Sequence, residues 1–107
     1  MQYALLAYGS ERADAGPVEA PIANVLARPS VTGWARLHGD GSATTVRNGE
    51  GRTLLTDGPF IETKEVLGGY SILDVDSIDE AVDISKSWPG VDRGWITIEL
   101  RPVMEMG

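Results

Sequence analysis

The segment GGYSILDVDSIDEAVDISKSWPG, residues 68–90, contains a strand, a helix and the signals that separate them. Its first half is largely apolar and predicts a strand. Ser77 and Glu80 have the spacing of a capping box, which marks the start of a helix. Acidic residues in the first turn and Lys86 near the end suit the helix dipole, and Pro89-Gly90 ends the helix.

The apolar residues after this capping box predict the side of the helix that packs on the sheet. They are Ile78, Ala81, Val82 and Trp88. Residues 94–104 then predict the last strand, in which successive side chains alternate between two faces. One face would carry Ile96, Ile98 and Leu100, and the other Trp95, Thr97, Glu99 and Arg101.

The first half of the chain adds further elements. Residues 2–8 predict a strand with apolar residues on both faces, which is typical of a central strand. Residues 18–28 suggest a helix with Pro21 in its first turn, while residues 31–38 are irregular and partly extended. The tetrapeptide at 48–51, Asn-Gly-Glu-Gly, predicts a hairpin.

This order of elements predicts an α+β fold: a ferredoxin-like sandwich in which two helices cover one face of an antiparallel sheet. The second face remains uncovered. It would carry Tyr3 or Leu6, Tyr70 or Leu73, and Trp95. A second copy of the chain is the simplest cover for such a face, so we expect a homodimer.

Composition restricts the classes of function. The 107 residues suit a single domain, 1–107, and carry 16 acidic and nine basic residues, for a formal charge of -7. The basic residues are scattered, which disfavours nucleic acid or an anionic membrane as a partner. No cysteine is present, and the apolar N-terminus is typical of a strand, not of a signal peptide or membrane anchor. We expect a cytoplasmic protein.

Metal and nucleotide motifs are missing from the sequence. The acidic residues between 74 and 83 do not fit a calcium loop, because Ile78 occupies a ligand position and Asp79 replaces the required glycine. No glycine-rich phosphate or dinucleotide motif and no G-x-S-x-G motif occurs. We therefore expect neither a metal site nor a cofactor.

The stretch TDGPFIETKEVLGGY, residues 56–70, is the candidate functional loop. Asp57 precedes Gly58, which tolerates unusual backbone angles, and Pro59, which fixes its own φ angle, so the carboxylate has a defined position. A fixed carboxylate at a strand end can act as a general base or orient a substrate. Alternatively, Asp57 only hydrogen-bonds its own turn.

The neighbours of Asp57 are the other candidates. Glu62 and Lys64 would bind substrate or tune Asp57 if the loop folds over it, and Tyr70 would line the same site. On a flat surface the same charges would simply be solvated. His38, the single histidine, is a candidate catalytic acid, although a lone loop histidine is more often a surface residue.

Several of these segments together resemble the DGPF branch of the YCII-related family. They are residues 56–60, 62–65, 67–70 and 74–76, with 43–47 before and 99–103 after them. The resemblance also includes residues 3–9. It implies a ferredoxin-like domain that dimerises as an α+β barrel, with the two sheets facing each other.

The family resemblance also implies two kinds of function. A recurring histidine and aspartate suggest enzymes, and one YCII-related member is a dehydrochlorinase of a hydroxylated aromatic. Other members lie beside or are fused to sigma factors, which suggests regulation. This chain departs from the family pattern between residues 10 and 42, where residues 17–30 lack the expected histidine. His38 is not a positional match, so the family's His–Asp pair does not transfer.

Two hypotheses follow. The first is a small-molecule site associated with a dimer, with cofactor-free proton transfer such as an isomerisation or elimination; Asp57 and His38 would be catalytic. The second is a non-catalytic regulatory or interaction module associated with sigma-factor control of transcription.

Overall fold

The structure is a computed structural model and describes residues 1–9, 19–60 and 65–104. In chain order these residues form β1 (Gln2–Gly9), α1 (Glu19–Leu26), β2 (Val31–Arg36), β3 (Thr44–Gly49), β4 (Arg52–Asp57), β5 (Val66–Asp74), α2 (Ile78–Lys86) and β6 (Ile96–Pro102). A 3-10 turn, Asp40–Ser42, precedes β3. Neither described helix is long and apolar enough to cross a membrane.

Four strands form one antiparallel sheet in the order β2-β5-β1-β6. Both helices pack on the same face of this sheet, where α1 contributes Val25 to the core and α2 contributes Ile84. The α+β class, the antiparallel sheet and the two helices are therefore as predicted. The arrangement is compatible with a ferredoxin-like sandwich.

The hydrophobic core lies between this face of the sheet and the helices. Its members are buried apolar residues from both layers: Tyr3, Leu5, Ala7, Val25, Val31, Leu73, Val75, Ala81, Ile84 and Trp88. The sequence did not decide which face of β1 and β5 packs on the helices, and the alternation of β1 decides it. Tyr3 and Leu73 face the core, and Leu6 and Tyr70 face the other side.

Strand β2 reaches the core through a bulge at Gly33. The register with β5 shifts between Thr32 and Trp34, and Gly33 has a φ of 77°, in the left-handed region that favours glycine. The extra residue turns Trp34 toward the helices, where its ring centroid lies 5.1 Å from that of Trp88. The buried Ser71 hydroxyl donates a hydrogen bond to the Gly33 carbonyl oxygen.

Position 69 requires a glycine because the Trp34 ring occupies the space that a side chain would need. A Cβ atom added at Gly69 would lie 2.7 Å from Cζ2 of Trp34 and 2.8 Å from the carbonyl oxygen of Ala35. Packing of β2 on β5 therefore explains this glycine.

The predicted hairpin is confirmed, but it forms a separate two-stranded sheet from β3 and β4. Its two-residue loop has positive φ angles at Glu50 (54°) and Gly51 (76°), as a type I′ turn requires. One of the two edge strands of the main sheet is β2, which lies within the segment for which the sequence pattern was irregular.

The start of α2 is capped as predicted. Ser77 accepts a hydrogen bond from the Glu80 N–H group at 3.3 Å. The Glu80 carboxylate accepts from the Asp76 N–H group and from the Ser30 hydroxyl, both at 3.1 Å. This carboxylate therefore also connects the start of β2 to α2.

The predicted packing side of α2 was partly wrong. Ile78 is 44% exposed and Val82 is also exposed, whereas Ile84 is fully buried. The sheet contacts the side of α2 that carries Ala81, Ile84 and Ser85, together with Trp88 just after the helix ends. Tertiary packing selected this side, since an isoleucine occurs on each: Ile84 on the buried side and Ile78 on the exposed one.

We expect Ile84→Ala to lower the free energy of unfolding by about 2–5 kcal/mol, because it leaves a cavity in the core. Ile78→Ala, the same change on the same helix, should cost less than about 1 kcal/mol because that side chain is largely in water. Urea unfolding monitored by circular dichroism measures both values. Equal losses for the two variants would contradict the packing of α2.

Candidate functional site

The face of the four-stranded sheet opposite the helices is not covered by any described part of the chain. We call it the open face. Its centre is apolar, with Leu6 of β1 paired to Tyr70 of β5 and Ala4 paired to Ile72. Tyr70 is 45% exposed, and Leu6 and Ile72 are half-buried. The structure thus places one predicted substrate-binding residue, Tyr70, on an accessible apolar surface.

A polar cluster lies at the β6 side of the open face. The Tyr8 hydroxyl lies 3.4 Å from Oε1 of Glu99 and donates to it, and Nε of Arg101 lies 3.3 Å from the same oxygen. Glu99 is the β6 neighbour of Leu6. A phenol, a carboxylate and a guanidinium therefore adjoin the apolar centre.

The environment of Tyr8 favours its neutral form. Partial burial, the negative charge of Glu99 and the hydrogen bond to Glu99 raise the pKa of Tyr8 above its ordinary value of 10.0, against a smaller lowering by Arg101. Tyr8 is accordingly a hydrogen-bond donor, and not a phenolate, at neutral pH.

Sequence reasoning did not identify this cluster as a site. It placed Glu99 and Arg101 on the face of β6 away from the core, and the structure agrees. The available signal was that two charged residues, Glu99 and Arg101, alternate along a face that also needed an apolar cover. The contribution of Tyr8 could not be predicted from the sequence, because Tyr8 lies 91 residues from Glu99 in the chain.

Asp57 ends β4 and is exposed. The turn after it is held by its neighbours. Gly58 has a φ of 96° and donates its N–H to the Ala43 carbonyl oxygen at 2.7 Å, and the Thr45 hydroxyl donates to the Gly58 carbonyl oxygen at 2.8 Å. The backbone of the turn after Asp57 is therefore held in place.

The simpler interpretation of Asp57 was that its carboxylate closes its own turn. Within the described residues, no hydrogen bond to this carboxylate does so; the backbone and Thr45 hold the turn instead. Asp57 stays a candidate for contact with a ligand or another chain.

His38 follows β2 and is exposed. Among the described residues no hydrogen bond or ion pair joins His38 to Asp57. The other two predicted site residues, Glu62 and Lys64, lie outside the described residues. The structure thus brings Tyr70 to the open face and leaves Asp57 on the separate hairpin. Within the described ranges, acidic and histidine side chains form no cluster of three or more that could hold a metal ion.

We expect the Tyr8 phenol to titrate above pH 10.0. Glu99→Gln should lower this titration midpoint but leave the part of the pKa shift that is due to burial. NMR of ring-labelled tyrosine, assigned with Tyr8→Phe, measures the midpoint. Because the folded-state pKa is raised, the stability that Tyr8 contributes is complete below pH 10 and is lost as pH rises through the folded-state pKa.

Asp79→Asn removes a carboxylate from the helix side and serves as the control for this titration. It should leave the Tyr8 midpoint unchanged. If the titration midpoint of Tyr8 were the same in Glu99→Gln as in the wild type, the cluster would not form in solution.

Comparisons with known proteins agree with the resemblance seen in the sequence. A family model described as the YCII-related domain matches residues 1–107. An uncharacterised protein from Rhizobium meliloti (strain 1021) is 39% identical over 69 residues, which are 64% of this chain and 56% of that protein. The match thus spans little more than half the length of that relative. The family prediction is confirmed, and the DGPF branch stays a prediction.

Proposed function

This chain belongs to the YCII-related family, and we propose that it acts as a homodimer that binds a small molecule on the open face. One observation supports this most directly: an accessible apolar centre, Leu6, Tyr70 and Ile72, adjoins the polar cluster of Tyr8, Glu99 and Arg101. Binding sites for small molecules combine an apolar lining with a few placed polar groups in this way.

The chemistry of the open face favours a flat, partly aromatic ligand with an anionic or hydroxyl group. The Tyr70 ring and Ile72 offer an apolar surface to the body of such a ligand. Nε of Arg101 contacts Glu99, and a guanidinium has further N–H donors that can bind a carboxylate. Glu99 can accept a hydrogen bond from a ligand hydroxyl.

Any reaction at this site would be cofactor-free proton transfer, such as an isomerisation or elimination. Asp57 is the proposed base, because its turn is fixed and its carboxylate is exposed. His38 is the proposed acid, and Glu62 and Lys64 would position the substrate.

The second candidate function is a non-catalytic interaction module linked to sigma-factor control. Three large apolar side chains on and beside the hairpin favour it: Val46 is 65% exposed, and Leu55 and Phe60 are each 70% exposed. Such a surface is typical of a protein interface. Biolayer interferometry with a purified sigma factor tests this function. Saturable binding that Leu55→Ser weakens would support it, and the absence of binding would remove it.

We expect a thermal-shift panel of benzoates, phenols and hydroxybenzoates to contain a ligand that raises the melting temperature in a saturable way. Tyr70→Ala and Arg101→Gln should each weaken its affinity by about tenfold, the effect of losing roughly 1.4 kcal/mol of contact. Calorimetric titration measures the affinities.

Arg28→Gln is the matched control for Arg101→Gln, because Arg28 contacts Asp83 on the helix side. It should leave ligand affinity unchanged. If the panel contains no saturable ligand, or if the open-face variants bind as the wild type does, the open face is not the site.

A further inference from the structure

We propose that the β3–β4 hairpin, Thr44–Asp57, is an arm that packs on the open face of a second copy of this chain. Asp57 of one protomer and Tyr70 of the other would then line one composite site. The inference rests on the homodimer proposed above and adds to it a shared site that a single chain lacks.

The arm has little support from the rest of its own chain. It is a separate two-stranded sheet whose extensive contacts are between its own strands. An isolated two-stranded hairpin is at best marginally stable in water. The radius of gyration is 15.6 Å, whereas a compact domain of this length has about 13 Å. This larger radius agrees with an arm that projects from the domain, and such an arm needs a surface to pack on.

The arm does not fold over the open face of its own chain. The shortest extent of the molecule is 18 Å. One sheet and one layer of helices fill most of this thickness, since a helix with its side chains is about 10–12 Å across. The arm thus lies beside the two layers, and a partner must supply the surface.

The two faces of the arm differ. On one face Leu54 is half-buried, and the Arg47 guanidinium carbon lies 5.7 Å from the centroid of the Phe60 ring. The opposite face is exposed at every position: Thr44, Val46, Asn48, Thr53, Leu55 and Asp57. Val46 and Leu55 pair directly across the strands at the middle of this exposed face.

The face that needs a cover is also the face that carries Asp57. Leu55 and Asp57 are two residues apart in β4, so their side chains project on the same side, about 7 Å apart. A partner that buries Leu55 therefore brings the Asp57 carboxylate to the edge of the same contact.

The open face of a second copy matches this requirement. Its centre is apolar, as Val46 and Leu55 require, and Arg101, whose Nε contacts Glu99, has further N–H donors for Asp57. In a two-fold dimer each arm meets the other sheet, so both exposed surfaces are covered by one self-complementary contact.

The areas set the size of this contact. Four strands of about seven residues present roughly 450 Å² of planar face, and one face of the arm presents roughly 200 Å². Each protomer takes part in two such contacts, once through its arm and once through its sheet, so the arms bury roughly 400 Å² of planar surface per protomer. A standard stable interface buries about 800 Å² per partner, and the relief of the side chains adds to the planar value.

The chain has no cysteine, so cross-linking of introduced cysteines tests the contact directly. A Leu55→Cys variant is mixed with a differently tagged Tyr70→Cys or Ile72→Cys variant and treated with a short bismaleimide. We expect a cross-linked heterodimer. Thr56→Cys is the matched control, because Thr56 is exposed on the opposite face of the arm and should cross-link far less.

A second measurement does not depend on cysteine variants. Leu55→Ser should raise the dimer dissociation constant at least tenfold, and Thr56→Ser should leave it unchanged, as measured by analytical ultracentrifugation. Equal cross-linking from Leu55→Cys and Thr56→Cys, or a Leu55→Ser dimer as tight as wild type, would overturn the arm contact and leave the homodimer intact. A monomeric wild-type chain would overturn both.

Discussion

The contact of Trp34 with Trp88 holds β2 to the helix layer, while the absence of a side chain at Gly69 allows the same indole to lie close against β5. This packing makes β2 the edge strand beside β5. The chain leaves β2 at Arg36 and must return to the sheet at Val66. The hairpin inserted between these two points therefore emerges at one end of the sheet. Its position, and with it the position of Asp57, depends on how Trp34 packs.

In the stretch of residues 56–70, packing of the backbone explains some residues and leaves others unexplained. Gly69 is explained by the approach of Trp34, and Gly68 is the extra residue where β5 shifts register against β1. Asp57 has no such structural explanation, since the backbone and Thr45 hold the turn after it. Of these three residues, only Asp57 therefore keeps a functional interpretation.

Local signals in the sequence predicted the local elements. The cap at Ser77, the turn at Glu50-Gly51 and the alternation of β6 each depend on neighbouring residues, and each is present. Strand β2 was harder to predict from the sequence, because the bulge at Gly33 breaks the alternation on which strand prediction relies. The choice of face in β1 depends on where distant helices pack. The polar cluster was missed for the same reason, as it joins the two ends of the chain.

The proposed site residues are divided between two surfaces of one chain. Tyr70 and the polar cluster lie on the open face, and Asp57 lies on the arm. A site within a single chain would require the arm to fold over its own sheet, which the 18 Å thickness of the molecule does not show. In the proposed dimer, a second copy would join the two surfaces. Burial of the exposed side chains Val46 and Leu55 would supply the driving force, and exclusion of water would strengthen the polar contacts of a ligand bound beside Asp57.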